Sequence, residues 1–336
     1  MSHTVPEALD PSVLLQTHFS FAPARTLVAA ARLNVFSALA DGPRSAQEVA
    51  DRIDATSRGT RMLLDALTAM QLLAKNSGRY RLLPLSERYL VRESPDYLGS
   101  LFESDALWQA WAGLTETIRG GQPPQRVDQE DKAQEFFPIL VRSLHVANRA
   151  PAERLAQALE IADRRPLAVL DIGCGSGIWG IAIAESAPHA RVTALDFPQI
   201  LELTREYATR HGVQDRFEYL PGDLRTAALG TARFDLSILG NIVHSEGEKS
   251  SRALFRRLHR ATRPGGQLAI CDMVPNDERT GPIYPLLFAL NMLVNTTAGD
   301  TFTLGEYSAW LGEAGFTEVR TCEIGSHSPA IVATRP

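Results

Sequence analysis

Two stretches hold residue types and spacings able to do chemistry. In SILGNIVHSEGE, residues 237–248, an apolar run gives way to His244, and Ser245, Glu246 and Glu248 follow. A neutral imidazole, with an unperturbed pKa of about 6.5, accepts a proton at neutral pH, so His244 is a candidate general base. Its neighbours have a plainer reading. Ser245 with Glu248 three residues on has capping-box spacing, and Glu246 complements the positive end of a helix. No second His, Cys or carboxylate stands at ligand spacing on a shared helix face, so no metal is expected.

The other stretch is VLDIGCGSGIWG, residues 169–180, in which Asp171, Gly173, Gly175 and Gly177 close an apolar strand and open a helix. Glycine supplies positive φ and lets a ligand approach bare backbone, and the helix N-terminus that follows suits an anionic group. Gly175, Gly177 and Gly180 also spell GxGxxG, the pattern of nicotinamide and flavin enzymes. Asp171, two residues before the first glycine, extends the pattern to DxGxGxG. Asp196, nineteen residues past Gly177, ends the next strand and is placed to bind two ribose hydroxyls of either cofactor type. Asp223, in LPGDL after a third strand, is placed beside an adenine amino group.

A sheet must bring these residues together. From Pro166 on, LAVLDIG, RVTALD, RFEYLPGD, FDLSILG and QLAICDMV read as strands. They alternate with the helical stretches GIWGIAIAESA, QILELTREYATRHG and EKSSRALFRRLHRAT, the last stopped by Arg263-Pro264-Gly265-Gly266. This predicts a doubly wound, mostly parallel sheet. The tail GFTEVRTCEIGSHSPAIVATRP adds an antiparallel hairpin, an ending that a pure dinucleotide fold does not require. Acid, glycines, strand-end acids and tail together resemble the Rossmann-like class I fold of the S-adenosylmethionine methyltransferases.

The N-terminal part follows another pattern. ARTLVAAARLNVFSALA, residues 24–40, reads as one helix ended by Asp41-Gly42-Pro43. SAQEVADRI opens with Ser45 and has Glu48 three residues on, again a capping box. SRGTRMLLDALTAMQLL is a third helix, and Asn76-Ser77-Gly78 is a turn between two short strands. Three helices and a hairpin make a winged helix, which serves either DNA binding or dimerisation. Residues 21–92 hold eleven Lys/Arg against six Asp/Glu, which favours DNA. The third helix, however, offers only Arg58, Arg61 and a few hydroxyls for such contact, and Asp65 would repel phosphate. The Ala/Leu/Val/Phe helix reads instead as an interface. The expected divisions are a winged-helix dimerisation domain over 1–96, connecting helices over 97–160 with a GGQPPQ break at 120–125, and the sheet domain over 161–336.

Composition narrows the class. The 336 residues are 44% hydrophobic with a formal net charge of −5, enough for two buried cores and without a basic field for nucleic acid or anionic lipid. Three scattered cysteines make no disulfide framework and suggest a reducing compartment. No basic leader opens the chain, and no run approaches the ~20 apolar residues that span a bilayer. A soluble, cytoplasmic protein is expected.

With these elements in place, the whole chain resembles the bacterial and plant small-molecule O-methyltransferases of the caffeate and hydroxyneurosporene type. DFPQI (196–200) is similar to their DLPxV segment, GDL (222–224) to GDFF, and RPGG (263–266) to their PGG turn. LNMLVNT (290–296) resembles the helix lining their acceptor pocket, with Met292 at the methionine that packs on the acceptor ring. The resemblance implies S-adenosylmethionine held by Asp171, Gly173, Gly175, Gly177, Asp196, Phe197, Asp223, Leu224 and Asn241. It implies an aromatic or polyketide-like acceptor against Trp108, Phe288, Asn291 and Met292, with Trp111 nearby, and a homodimer without nucleic acid or membrane partners. His244 would take the proton from the acceptor hydroxyl. The chain departs from the family around this residue. The family's HDW is His244-Ser245-Glu246, its histidine-steadying glutamate is Cys271 with Asp272 adjacent, a second glutamate is Thr301 beside Asp300, and a plant lysine is Gly240. Asp272 or Asp300 is then left to orient the imidazole, or neither does and His244 acts less as a base than as a polar contact. C- or N-methylation, a decarboxylase or hydroxylase relative, and a cofactor-sensing winged-helix transcription factor remain alternatives.

Overall fold

A computed structural model describes residues 9–122, 130–163 and 166–336, and the side chains of 130–137 are outside the description. The first eight residues, read above for a leader, and the Pro123–Gln125 part of the GGQPPQ break therefore lie outside the described residues. The chain divides into two units, Met1–Asp105 and Ala106–Pro336.

The first unit contains α1 (Ser12–Phe19), α2 (Phe21–Arg32), β1 (Arg44–Ser45), α3 (Ala46–Arg52), α4 (Ser57–Ala69), β2 (Leu73–Asn76), β3 (Arg79–Leu82), α5 (Pro84–Leu90) and α6 (Gly99–Glu103). The three strands pair antiparallel in the order β1-β3-β2. Ser45 and Glu48 make the reciprocal capping box at the start of α3. Ser77 and Gly78 turn the hairpin with φ of 47° and 76°, the twist that two-residue hairpin loops favour. The single helix expected over residues 24–40 is corrected. It stops at Arg32 because Asn34 takes φ 57°, a conformation asparagine tolerates, and a 3-10 turn follows at Ser37–Leu39. The break folds Val35, Phe36 and Leu39 into the core with Leu64, Leu67 and Tyr80. The basic residues of this unit are largely neutralised in place: Arg44 and Arg52 on Asp41, Arg61 and Lys75 on Asp65, Arg79 on Glu48.

The second unit begins with α7 (Ala106–Ala112), α8 (Leu114–Gly120) and α9 (Glu130–Ala158). Then come β4 (Leu167–Ile172), α10 (Ile178–Ser186), β5 (Ala190–Asp196), α11 (Pro198–Arg210), β6 (Phe217–Pro221), β7 (Phe234–Gly240), α12 (Val243–Ala261) and β8 (Thr262–Cys271). It closes with α13 (Ile283–Asn295), α14 (Leu304–Ala314), β9 (Thr317–Cys322) and β10 (Ala330–Thr334). The seven strands run β6-β5-β4-β7-β8-β10-β9. Strands β4 to β8 pair parallel, and β10 is antiparallel to both β8 and β9. The last strand thus sits inside the sheet with β9 at its edge. Helices α9, α10 and α11 cover one face and α12 and α14 the other, which is why β4, β5 and β7 read as nearly continuous apolar runs. β8 starts at Thr262, five residues earlier than the QLAICDMV reading, with Gly265 turning at φ 76° inside it. Chain order reverses between β4 and β7, and at such a switch point the carboxyl ends of the strands open a crevice. No helix among the described residues is long and apolar enough to cross a membrane.

Candidate active site

At the end of β4 the backbone turns through Gly173, Gly175 and Gly177 at φ 59°, 55° and 75°. At Gly173 any side chain would be strained by the left-handed backbone, and its Cβ would force the Ile242 side chain to move. Gly175 has room, its nearest neighbour being Val141 at 3.6 Å, so its requirement is the left-handed backbone. The loop is tied from both sides. Gly175 N–H donates to Asp196 Oδ2 at 2.9 Å, Phe197 N–H to Asp196 Oδ1 at 2.8 Å, and Thr204 Oγ1 to the Gly175 carbonyl at 2.7 Å.

Asp171 is fully buried. Its Oδ2 accepts Gly180 N–H at 2.9 Å, whereas Oδ1 has no partner among the described residues. Burial pushes its carboxyl up to about 7 against the Gly180 N–H, with the charge of Asp196 adding to the rise. Burial likewise raises Asp196 against its two backbone donors. A half-buried acid met only by backbone N–H groups, beside a bare left-handed turn, fits a nucleoside ligand that brings hydroxyl donors.

The segment after β6 is locked by arginines. Asp223 Oδ1 accepts Arg225 N–H at 2.7 Å, and Leu224 reaches within 3.8 Å of the position a Gly173 Cβ would take. Arg225 Nε and Nη2 both donate to Glu246, at 2.8 and 3.0 Å, and Ser250 Oγ adds a third bond at 2.6 Å. Arg257 holds the carbonyls of Leu224 and Ala227. Glu246, read from sequence as a helix-starting acid, therefore fastens this segment to α12. The Ser245–Glu248 capping box is also corrected. Gly247, at φ 72°, breaks the helix between the two, Ser245 Oγ donates to the Ile242 carbonyl at 2.8 Å, and Glu248 pairs with Arg252 at 2.6 Å. Gly247 and Gly299 are needed there because the 298–300 segment lies directly on this turn.

His244 sits in the first turn of α12, just past β7, and is buried. Its backbone N–H donates to Asp272 Oδ2 at 3.0 Å, and its Nδ1 lies 2.5 Å from Asp272 Oδ1. Met273 N–H, at 2.8 Å, completes the carboxylate's partners. Of the two acids the sequence offered, Asp272 meets the ring. Asp300 meets only backbone: its N–H donates to the His244 carbonyl at 2.9 Å and its carboxylate accepts Thr301 N–H at 2.7 Å. A carboxylate on Nδ1 makes that nitrogen the donor and leaves Nε2 with its lone pair. Nε2 takes no hydrogen bond within the described residues. The neighbouring Cys271 is buried and its thiol is held well above the ordinary range, so it stays protonated. Gly240 has no space for the plant lysine, because the Trp179 indole occupies the position of its Cβ.

Phe288 on α13 stands edge-on to the His244 ring at 5.0 Å and 84°. Met292 is buried one turn on, near the His244 carbonyl across Gly299. Asn291 Oδ1 accepts the Trp111 indole N–H at 3.1 Å, and α7 and α8 pack on α13. Trp108, also on α7, is 45% exposed. Asn241 takes φ 61°, donates its N–H to the Cys271 carbonyl at 2.8 Å and accepts Asn148 Nδ2 from α9 at 3.1 Å. A small cleft beside Asp272 is lined by Asn148, Trp179, Asn241, Met273 and Ser328. Asn148, Ile242 and Arg225 escaped the sequence reading because their partners are remote in the chain. Tyr284 escaped it too, although it stands one turn from Phe288, stacks with it at 6.3 Å and lies flat on His327 at 3.6 Å.

Sheet order, glycine loop and strand-end acids together define a class I methyltransferase fold. Residues 148–317 match the family model of the O-methyltransferase domain, and residues 15–92 that of the O-methyltransferase dimerisation domain. The chain belongs to the O-methyltransferase family, whose methyl donor is S-adenosylmethionine. Among its relatives is the tetracenomycin polyketide synthesis 8-O-methyl transferase TcmO of Streptomyces glaucescens, 30% identical over 338 residues and 97% of each chain. The 3-hydroxy-5-methyl-1-naphthoate 3-O-methyltransferase of Streptomyces sahachiroi is 30% identical over 335 residues, covering 97% of this chain and 95% of that one. PigF, an S-adenosyl-L-methionine-dependent methyl transferase of Serratia sp. (strain ATCC 39006), has been solved with S-adenosylhomocysteine. That structure superposes with a TM-score of 0.85 at 26% identity over 98% of this chain and all of its own.

Proposed function

We propose that the protein moves the methyl group of S-adenosylmethionine to a phenolic hydroxyl of a fused-ring aromatic, polyketide-type acceptor, with His244 as general base. The observation that carries this reading is the buried His244–Asp272 pair, with Nδ1 engaged at 2.5 Å and Nε2 free beside Phe288. Asp272 fixes the tautomer and stabilises the imidazolium once His244 has taken the phenol proton at Nε2. When bound, the cofactor supplies a methyl group on a sulfonium, which needs no acid to leave. The chain's part is to bind, orient and deprotonate. Asp196 takes the ribose hydroxyls, Asp223 the adenine side, Phe197 and Leu224 its apolar flanks. Gly173, Gly175, Gly177 and Asn241 offer backbone, and Asp171 stabilises the loop behind. Phe288, Met292, Asn291 and Trp108 receive the acceptor. The substrate class is supported by the two thirty-percent relatives, both acting on polyketide or naphthoate hydroxyls by name.

The reading includes a cytoplasmic homodimer. Val13, Leu14, Leu15 and Phe19 on α1 are all more than 60% exposed, an apolar face that self-association through the matched dimerisation domain would cover. Light scattering is expected to give twice the chain mass for the wild type and a monomer for Leu14→Glu/Phe19→Glu; an unchanged dimer would remove α1 from the interface.

The reaction is tested by incubating the protein with methyl-labelled S-adenosylmethionine and a panel of hydroxynaphthoates and hydroxyanthraquinones. Label transferred to a phenolic oxygen is expected. Label found only on amines or carbon, with every phenol untouched, would overturn the reading.

A further inference from the structure

Behind the glycine loop, four polar side chains from four parts of the unit form one hydrogen-bonded chain. Ser176 lies in the loop, His145 on α9, His211 just past α11 and Glu185 near the end of α10. Ser176 Oγ is 3.0 Å from His145 Nδ1, His145 Nε2 is 3.3 Å from His211 Nε2, and His211 Nδ1 is 2.7 Å from Glu185 Oε1. Ser176 and His145 are buried, the His211 side chain is 10% exposed, and Glu185 opens to solvent. The His145 ring lies on Tyr207 at 3.8 Å and 21°, which fixes its plane. Proton transfer at His244 makes no use of this chain.

Donor and acceptor roles along it are coupled. A carboxylate only accepts, so His211 Nδ1 carries a hydrogen. The contact between the two Nε2 atoms holds one hydrogen and no more. With the pair neutral, that hydrogen sits on His145, whose Nδ1 then accepts from the Ser176 hydroxyl. When the pair takes one proton from water, the hydrogen between the rings belongs to His211. His145 becomes the Nδ1–H tautomer, and it donates to Ser176 Oγ. One proton thus reverses the Ser176 hydrogen bond and frees the hydroxyl hydrogen for another acceptor.

We propose that His145 and His211 form a single-proton positioning relay for the cofactor loop, so that cofactor binding and protonation of the pair are linked. The proposal rests on reading residues 173–177 as the S-adenosylmethionine site. A cofactor carboxylate that accepts the freed Ser176 hydroxyl favours the cationic pair, and binding therefore takes up a proton. Other charges surround the pair among the described residues, and Asp171, pushed up to about 7 by burial, titrates in the same range. On α9, Arg142 pairs with Glu206; on α11, Arg210 pairs with Glu206 and covers the Tyr207 ring. Glu185 comes from α10, and the strand ends bring Asp171 and Asp196, already described. The Tyr207 phenol is pushed up by burial and stays neutral.

The test is calorimetry of S-adenosylhomocysteine binding near pH 6.5, about the value of an unperturbed imidazole, in buffers of different ionisation enthalpy. Wild type is expected to take up a fraction of a proton and to bind several-fold tighter as pH falls from about 7.5 to about 5.5. Ser176→Ala, which keeps both rings, and His145→Phe, which keeps the Tyr207 stack, are expected to take up less of a proton than wild type and to show a shallower pH profile, the remainder belonging to Asp171. If His145→Phe does not fold, Ser176→Ala decides alone. Equal proton uptake in wild type and Ser176→Ala, or none in wild type, would overturn the relay while leaving the cofactor site intact. Absence of binding by wild type would overturn the site and the relay with it.

Discussion

The carboxylates of the two units are treated in opposite ways. In the first unit they are exposed and met by cations. Hydrogen bonds from Arg44 and Arg52 pull Asp41 down to about 2, the Ser45 cap and Arg79 bring Glu48 to about 2, and Lys75 and Tyr80 lower Asp65. In the second unit Asp171 and Asp272 are buried and Asp196 is half-buried, and none of the three is paired with a lysine or arginine in the contacts found. Asp171 and Asp196 are raised by burial, with backbone N–H groups as their donors, and Asp272 has an imidazole and two backbone N–H groups. Exposed pairs like the first group contribute little to stability. Buried acids held without a cation are costly unless a partner arrives, and groups perturbed in this way cluster at functional sites. The first unit therefore uses its acids for its own surface, whereas the second, besides surface pairs of the same kind, sets three acids at its strand ends without a cationic partner.

The largest effect that sharpens this contrast is expected at Asp196. On the proposed reading, replacing it with Ala removes the charged acceptor for two ribose hydroxyls, at about 1.5–3 kcal/mol per hydrogen bond, and weakens S-adenosylhomocysteine binding roughly 10²–10⁴-fold by calorimetry. Binding within twofold of wild type would break the comparison. Next comes Asp171, through pH. Its folded carboxyl, at about 7, lies above the unfolded value of 3.8, so the stability it contributes is fully present below 3.8 and is lost as pH rises through about 7. Asp171→Asn should remove that component. Melting curves of the ligand-free protein then fall less steeply between those pH values than in wild type, and parallel curves would show that burial does not govern this group. The smallest effect belongs to the surface: Asp41→Ala should move the melting temperature by no more than about 2–4 °C, and a larger drop would mean that the first unit relies on its exposed pairs.

Local chemistry was readable in the sequence wherever it involves near neighbours. The DxGxGxG loop, the Ser45–Glu48 box, the Asn76–Gly78 turn and the strand ending before His244 each announce themselves within a few residues. The errors lie where one residue's φ decides. Asn34 ends a helix that its apolar neighbours would continue, and Gly247 separates Ser245 from Glu248; both residue types carry the signal, since Asn and Gly are the usual left-handed residues. Tertiary pairs left no local trace. Asn148 on Asn241, Arg225 on Glu246 and Ser176 on His145 join positions 93, 21 and 31 residues apart. The choice between Asp272 and Asp300 was undecidable for the same reason, because both lie close to His244 and only side-chain direction separates them.

The central claim is that the free Nε2 of His244, held by Asp272, takes the acceptor proton. The most direct measurement is methyl-transfer turnover of His244→Ala and Asp272→Asn with a phenolic acceptor, with S-adenosylhomocysteine affinity determined on the same samples. Turnover is expected to fall about 10²–10⁴-fold in His244→Ala, with the affinity unchanged within about twofold. Asp272→Asn should lie between His244→Ala and wild type. Turnover by His244→Ala within tenfold of wild type would contradict the claim and leave His244 as a packing residue beside an acceptor that loses its proton without help.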